Sequence, residues 1–131
     1  MSRKLLILAG CSVLLAGCGA ASPNCTLSDV LSVFPATATA DHAATPPGNQ
    51  LKFSVGLAPT AAPGCPIPQY IAIAYPAWTN PDPSAISISS AHDQTNGLAT
   101  CLKATTGAST LTATVGTGQT AQSKTVSLAC K

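Results

Sequence analysis

The sequence predicts an all-β domain built as a sandwich of about seven short strands. Apolar residues recur at every second position over several short runs, which is the period of a strand with one buried face. Residues typical of turns separate the runs, and Asn96-Gly97 is the strongest turn signal because both residue types tolerate positive φ. The chain is rich in Thr and Ser, only 8% of its residues are charged, and no helical pattern of useful length occurs. A small β protein is therefore favoured over a helical one.

Residues 1–17 are predicted to be a signal peptide and are excluded from the fold. Arg3 and Lys4 form a short positive region, and residues 5–15 are almost entirely apolar. The sequence Leu-Ala-Gly-Cys follows and ends at Cys18. It resembles the lipobox of bacterial lipoproteins, in which signal peptidase II cuts before the cysteine and the cysteine receives diacylglycerol. The resemblance implies that Cys18 is lipidated.

Other interpretations of this segment are a plain secretory signal, cut after Ala20 or Ala21, and a transmembrane helix. A transmembrane helix needs about 20 apolar residues, and the run here is shorter and ends in Gly-Cys-Gly. A second Leu-Ala-Gly-Cys ends at Cys11, but the apolar run before it is too short for a signal. After the signal peptide, the lipobox interpretation predicts a lipidated cysteine with a short tether at residues 18–25, and the β-sandwich is expected at residues 26–131.

Removal of the signal peptide leaves a chain whose side-chain charges balance, since lysines and aspartates are equal in number and Glu and Arg are absent. No basic surface of the kind that binds nucleic acid is expected, and no nucleic-acid partner is predicted. The predicted partner is the membrane, reached through the N-terminal lipid, because several acyl chains on one cysteine exceed what stable attachment requires. The expected location is the bacterial cell envelope, with the exported protein anchored at the outer membrane or cell surface.

The cysteines predict two disulfide bonds. Of six cysteines, one is lost with the signal peptide and one is assigned to the lipid. An even number remains in an exported chain, which is typical of disulfide pairing, and three pairings are open. No Cys-x-x-Cys pair occurs, so neither a thioredoxin-like motif nor a zinc knuckle is indicated. The remaining cysteines are Cys25, Cys65, Cys101 and Cys130.

The first half of the domain is predicted to hold two strands and two long connections. Residues 31–34 form the first strand, because apolar residues there alternate with serine. Residues 36–49 are rich in Ala, Thr and Pro and are expected to be a connecting segment. Residues 51–57 alternate strictly and give the clearest strand of the chain. Residues 58–68 are rich in proline and are expected to be a loop that holds Cys65.

Residues 70–75 are predicted as the next strand, with Ile71, Ile73 and Tyr75 on its inward face. This strand ends near Trp78, which is expected to be a core residue rather than an exposed ligand platform. The prolines that follow exclude a central strand there.

Four further strands complete the domain, at residues 86–89, 98–104, 111–115 and 126–130. Each has apolar residues at alternating positions, and turn residues separate them. The total of about seven strands matches a sandwich of the immunoglobulin type. A small barrel is the structural alternative.

Part of the domain carries the motifs of a known family. The chain reads Trp78-Thr-Asn-Pro-Asp-Pro-Ser-Ala-Ile-Ser-Ile, then Asn96-Gly97-Leu98-Ala-Thr, then Lys103-Ala104, then Thr110-Leu-Thr-Ala-Thr-Val115. These motifs resemble bacterial Ig-like domains of group 2, which typically read W-x-S-x-[DN]-P-S-x-A-x-V, then G-x-V-T, then G-x-A-x-I-x-A. The likeness covers residues 27–128, and its specific part is residues 78–115. The chain departs from the family in its cysteines, in a longer segment at residues 104–110 and in the Pro-rich loop at residues 58–68.

The resemblance implies an immunoglobulin-like sandwich and, through its topology, a disulfide pairing. With strands named A to G, Cys25 precedes strand A and Cys65 lies in the B–C loop at the same end of the sandwich. Cys101, late in strand E, and Cys130, late in strand G, lie near the other end. The implied bonds are Cys25–Cys65 and Cys101–Cys130. Because Cys101 is out of phase with the leucines of its strand, the second bond would need a local bulge or a place at the sandwich edge.

No catalytic, metal or cofactor site is predicted. His42 and His92 are the only side chains with an ordinary pKa near neutral pH, and each has an aspartate beside it, Asp41 and Asp93, in a predicted loop. The chain has no Gly-x-Ser-x-Gly elbow, and its aspartates lack the spacing of a calcium-binding loop. We therefore do not expect an enzyme.

The predicted function is that of a lipid-anchored Ig-like module of the cell envelope, with a structural or interaction role of the adhesion type. The alternative is a small envelope lipoprotein that binds a ligand or glycan with the loops at one end. The partner would be a protein or a glycan. A deep pocket with convergent polar groups would favour the alternative, and a flat strand face with exposed apolar loop tips would favour the first function.

Overall fold

Ten strands and one short 3-10 turn build residues 25–131, the part of the chain that the computed structural model describes. The predicted signal peptide, Cys11 and the predicted lipidation site Cys18 lie outside these residues. Within residues 25–131, no helix is long and apolar enough to cross a membrane. The strands are β1 (Leu27–Phe34), β2 (Thr37–Ala40), β3 (Gln50–Lys52), β4 (Ser54–Ala61), β5 (Ala72–Ile73), β6 (Ala77–Thr79), β7 (Ile86–Ile88), β8 (Leu98–Cys101), β9 (Ala108–Val115) and β10 (Gln122–Cys130), with the 3-10 turn at Gly118–Thr120.

The strands form three sheets that make up the two layers of an immunoglobulin-like sandwich. One layer is the four-stranded sheet β2-β10-β9-β6, and the other contains the three-stranded sheet β3-β8-β7. β3 passes into β4 through Phe53 alone, and β4 is the centre of the third sheet, β1-β4-β5, which extends the second layer. Paired strands are antiparallel except β2, which runs parallel to β10. This strand order confirms the predicted all-β, immunoglobulin-like fold class.

The core lies between the two layers. Inward side chains of β7 and β8 meet those of β9 and β10. Phe53, Ile86, Leu111 and Leu128 are fully buried. Trp78 is a core residue, as predicted, since it is 8% exposed and its ring centroid lies 5.7 Å from that of Phe53. Tilted aromatic pairs at this distance stabilise a core beyond the area they bury.

A buried polar side chain, Asn96, links three chain segments beside Trp78. Asn96 is 6% exposed, and its Oδ1 accepts a hydrogen bond from Trp78 Nε1 at 3.1 Å. Its Nδ2 donates to the backbone oxygens of Pro76 at 3.1 Å and Ala91 at 2.8 Å. Since buried polar groups are costly unless they are hydrogen-bonded, this amide fixes one arrangement of the three segments.

The turn at Asn96-Gly97 forms as predicted, but only its glycine has the expected backbone conformation. Gly97 has a φ of 77°, and a Cβ atom at this position would lie 2.3 Å from the backbone oxygen of Phe53. Among residues 25–131, positive φ occurs only at glycines, so Asn96 has an ordinary φ. Asparagine therefore serves here through its side-chain hydrogen bonds and not through its tolerance of positive φ.

Three boundary predictions in the first half of the domain were wrong. The predicted connection at residues 36–49 contains β2, because parallel pairing with β10 supplies its backbone hydrogen bonds. The predicted strand at residues 51–57 is interrupted at Phe53, where the chain changes partners. The Phe53 backbone N–H donates to the oxygen of Gly97 at 2.9 Å, in register with the β3–β8 pairing, and pairing with β1 begins at Ser54. The predicted loop at residues 58–68 begins late, because β4 continues to Ala61 while it pairs with the whole of β1.

The prediction for residues 70–75 was wrong in length and in orientation. Only Ala72–Ile73 is a strand. Ile71, Ile73 and Tyr75, predicted to face inward, are 74%, 79% and 43% exposed. β5 lies at the edge of the small sheet, and within residues 25–131 no second layer covers these side chains. Alternation shows that a strand has two different faces, but a second layer must be present for either face to be buried.

The structure contains the disulfide bonds Cys25–Cys65 and Cys101–Cys130, the pairs that the resemblance implied. The second bond joins β8 to β10 across the core, and its cysteines are 1% and 2% exposed. The expected bulge or edge position was wrong, because the inward residues of β8 are Ala99 and Cys101. Leu102, in the other phase, is 50% exposed. The predicted strand at residues 98–104 ends at Cys101.

Candidate functional site

The two histidines are engaged in separate contacts, away from the aspartates that precede or follow them. His42 Nδ1 donates to the backbone oxygen of Lys131, and the His42 backbone N–H donates to the same oxygen at 2.9 Å. His92 stacks on Tyr75, with ring centroids 6.0 Å apart and planes inclined by 15°. Asp41 Oδ1 accepts from the backbone N–H two residues further on, at 2.9 Å. These contacts do not assemble a proton relay.

Asp82 and Asp93 hold turns and remain ionised. The hydroxyl of Thr95 donates to Asp93 Oδ1 at 2.6 Å and its backbone N–H at 2.7 Å, and these bonds lower the pKa of Asp93 from its ordinary 3.8. The hydroxyl of Ser84, at 2.7 Å, is the main cause of the lowered pKa of Asp82, and backbone N–H groups of Ala85 and Ser84 add to it. A carboxylate with a lowered pKa is a poor proton donor near neutral pH. Residues 25–131 contain no group of three or more His, Cys, Asp or Glu side chains placed to hold a metal ion.

A groove of about 310 Å³ lies beside the start of β4. Ile73 and Tyr75 form part of its apolar wall, and Lys52 and Asn96 are among its polar residues. Lys52 Nζ already donates to the backbone oxygens of Asn96 and, at 2.7 Å, of Gln94, and the Asn96 amide is bound to the core as described. Ligand pockets usually present a few polar groups that converge on the ligand, whereas these groups are bound within the protein.

The outer face of the small sheet β1-β4-β5 is apolar and exposed. The register places Ile73 beside Gly56, and Gly56 beside Ser32. Ile71 covers the glycine, since a Cβ atom on Gly56 would lie 3.0 Å from Ile71 Cγ2. We define the outer apolar face as Val30, Phe34, Ile71 and Ile73, which are 51%, 76%, 74% and 79% exposed.

The outer apolar face has no charged side chain within it. Alternation along β1 and β4 turns Leu31 and Val33 toward the core and leaves small or hydroxyl side chains between the exposed apolar ones. Residues 53–81 contain no charged residue at all. The remaining members of this side of the sheet are Ser28, Ser32, Ser54, Gly56, Ala58 and Thr60.

The edge of β1 that does not pair with β4 is bound by a single side chain. Gln122 Oε1 accepts from the backbone N–H of Leu31 at 3.0 Å, and its Nε2 donates to the backbone oxygen of Asp29 at 2.7 Å. The amide thus takes the place of a neighbouring strand at these two residues. Exposed strand edges pair readily with other chains, and Gln122 occupies the backbone groups through which this edge would pair. The surface that remains for contact is the face of the small sheet.

The chain enters the domain at one end of this sheet. Cys25 lies just before β1, and its disulfide partner Cys65 lies in the loop after β4, with the two Cα atoms 5.7 Å apart. Ile67 and Tyr70, in the loop that follows Cys65, are 50% and 51% exposed, whereas Leu27, 52% exposed, shares the inward phase of Leu31 and Val33. Exposed apolar side chains therefore extend from the outer apolar face toward the point where the chain enters.

Sequence reasoning missed the outer apolar face because it assigned Ile71 and Ile73 to the core. The long uncharged stretch at residues 53–81 is the signal that could have indicated a contact surface. What the arrangement offers chemically is an apolar surface, with its polar neighbours already hydrogen-bonded. Comparison of the chain with protein-family models, with curated proteins and with solved structures returned no match.

Proposed function

We propose that the mature protein is a lipid-anchored module of the bacterial cell envelope, in which the Ig-like domain has a structural or interaction role of the adhesion type. The observation that carries this proposal is the outer apolar face. Contiguous apolar patches on a protein surface mark sites of contact with proteins or membranes. The lipobox at Cys18 supplies the location, since a lipidated cysteine holds the exported domain at a membrane.

A contact role, and not catalysis, is part of the proposal. His42 is bound to the backbone of Lys131, and Asp82 and Asp93 are bound to their own turns. These side chains would have to leave existing hydrogen bonds to act as general acids or bases.

We also propose that the domain is a member of the bacterial Ig-like domains of group 2. Two motif residues take the roles expected of a fold signature, which supports this assignment. Trp78 packs in the core against Phe53, and Gly97 forms the turn before β8. The proposed membership rests on these motifs, since the cysteines and the loop after β4 depart from the family pattern.

The anchor is tested by intact mass and detergent partition of the wild type, Cys18→Ser and, as a matched control, Cys11→Ser. We expect the wild-type and Cys11→Ser proteins to begin at Cys18, to carry the mass of an acylated diacylglycerol cysteine and to enter the detergent phase. Cys18→Ser should lack the lipid and remain in the aqueous phase. A Cys18→Ser protein that still carries lipid would show that the anchor is assigned to the wrong residue.

A second candidate function, binding of a small ligand or glycan, is favoured by the stacked rings of Tyr75 and His92 beside the groove. Aromatic faces of this kind are common in binding sites. NMR titration with a panel of neutral oligosaccharides tests it. Shifts that saturate, centre on Lys52 and Tyr75 and vanish in Tyr75→Ala but not in Tyr70→Ala would favour this function over the first.

A further inference from the structure

We propose that the outer apolar face rests on the bilayer that holds Cys18, so that the small sheet β1-β4-β5 lies against the membrane surface. This inference rests on the proposed lipid anchor and names the partner of the contact surface. The partner is lipid, and the contact is made by side chains of the folded domain in addition to the acyl chains.

The short tether keeps the correct end of the domain at the membrane. Only residues 19–24 lie between Cys18 and Cys25. Since an extended chain spans at most about 3.6 Å per residue, Cys25 lies within about 25 Å of the lipidated cysteine. A folded domain of this length has a radius of gyration of about 13 Å. The end that carries Cys25 is therefore the part of the domain that is held closest to the lipid.

The disulfide bond extends this constraint to a second segment of the small sheet. Cys65 is fixed with its Cα 5.7 Å from that of Cys25. The exposed side chains of Ile67 and Tyr70 follow within a few residues of Cys65. The tether thus brings the loop before β5 to the bilayer together with the start of β1.

The chemistry of the face suits a lipid surface. The four side chains of the outer apolar face are uncharged, and charged groups are the costly ones in the bilayer interface. Lys52 and Asp93 line the groove beside Ile73, where both are hydrogen-bonded within the protein. Tyr70, half exposed beside this face, has the ring and hydroxyl that favour the boundary between lipid tails and headgroups. Because the face is uncharged, the contact should form on zwitterionic lipid and should be insensitive to salt.

A second copy of the chain fits this face less well than a bilayer does. A stable protein interface buries about 800 Å² on each partner, which is more than the four side chains of the face supply. The lipid anchor, in contrast, raises the local concentration of bilayer next to the face, so that a contact too weak to form between free partners becomes favourable.

The test is covalent carbene labelling, read by mass spectrometry, of the full lipidated protein in phosphatidylcholine vesicles, compared with Cys18→Ser in solution. We expect labelling at Phe34, Ile71 and Ile73 to fall severalfold on vesicles, at low and at high salt. Thr110 and Thr125, exposed on the four-stranded sheet, should be labelled equally in both samples.

A double variant tests whether the face itself makes the contact. Ile71→Ser combined with Ile73→Ser alters two side chains outside the core, so the fold, followed by circular dichroism, should be retained. In its lipidated form we expect the protection of Phe34 on vesicles to be lost. Leu102→Ser, which removes a half-exposed apolar side chain outside the small sheet, should keep that protection. Phe34→Ser, read at Ile73, serves as a second variant.

The outcomes separate the failure of this inference from that of the anchor. Lipidated wild-type protein that is labelled equally on vesicles and in solution overturns the bilayer contact and leaves the anchor intact. A wild-type mass without lipid overturns the anchor and, with it, this inference. Carbene labelling of the face in solution could instead fall as the protein concentration rises, together with a doubling of the particle mass. That result assigns the face to a second copy of the chain and overturns the bilayer contact. Protection that needs anionic lipid and is removed by salt also overturns it, since the face has no charge.

Discussion

Replacement of Asn96 by alanine is expected to destabilise the domain strongly. The substitution leaves Trp78 Nε1 and the backbone oxygens of Pro76 and Ala91 without their hydrogen-bond partner. The first two partners are in buried contacts, while the bond to Ala91 is only partly buried, so water can replace the amide there. A buried group left unpaired costs about 1–3 kcal/mol, and two such groups give a loss of about 2–6 kcal/mol. That is a large part of the 5–15 kcal/mol typical of a whole domain.

The measurement is urea unfolding with circular dichroism, supported by the fluorescence of Trp78, the one tryptophan of the chain. Gln94→Ala is the matched control. The Gln94 side chain is exposed, and Lys52 Nζ donates to the backbone oxygen of Gln94, which the substitution retains. We expect this control to change stability by less than about 0.5 kcal/mol, as is usual for exposed sites.

A double-mutant cycle isolates the bond between the two side chains. Trp78→Phe removes the Nε1 donor and leaves Asn96 Oδ1 unpaired, whereas the combined variant removes both partners. We expect the combined loss to be smaller than the sum of the single losses by about 1 kcal/mol or more, since contacting residues are not additive. Equal effects of Asn96→Ala and Gln94→Ala, or full additivity in the cycle, would refute the role assigned to the Asn96 amide.

Three further predictions follow from the turn, the disulfide bonds and the carboxylates. Gly97→Ala should lower the free energy of unfolding by at least about 1–2 kcal/mol, because alanine is strained in the left-handed backbone conformation. The new Cβ would also clash with the backbone oxygen of Phe53 at 2.3 Å. Gly107→Ala, with no atom within 4 Å of the new Cβ, should be close to neutral in the same unfolding assay. Mild reductant should open Cys25–Cys65 before the buried Cys101–Cys130, as seen by alkylation and mass spectrometry, and equal rates of opening would contradict this order. Replacement of both Cys101 and Cys130 by alanine should lower the free energy of unfolding by about 3.6 kcal/mol or more through loop entropy. The pKa of Asp93 is lowered in the folded state, so this carboxylate contributes stability that is complete above its ordinary pKa of 3.8 and is lost as the pH falls through the folded-state pKa. Asp93→Asn should therefore lose less stability than the wild type on acidification. Parallel curves of stability against pH for the two proteins would exclude this role of Asp93.

Much of the fold could be predicted from local patterns. Alternation at residues 51–57 and 111–115 identified strands because side chains along a strand point to opposite faces, whatever lies on either side. The turn before β8 was predicted from Asn96-Gly97, since only glycine accepts the backbone conformation that the turn needs there. An even number of cysteines in a chain predicted to be exported indicated disulfide bonds, but choosing the pairs required the topology of the family that the chain resembles.

Strand boundaries and the burial of faces could not be predicted, because both depend on partners distant in sequence. β2 forms where β10 offers a parallel edge, although residues 37–40 hold only threonine and alanine. The inward residues of β8 are Ala99 and Cys101 rather than the larger leucines, and the bond from Cys101 to Cys130 on β10 joins the two layers in this phase.

The sequence by itself determined the all-β class, the alternation of strands and turns and the low content of charged residues, since these depend on residue type and on near neighbours. Tertiary structure alone decided that Asn96 joins three segments in the core and that Ile71 and Ile73 face outward beside Val30 and Phe34. The physical reason is the same in both cases. A side chain is buried only where a second layer covers it, and residues far apart in the chain build that layer.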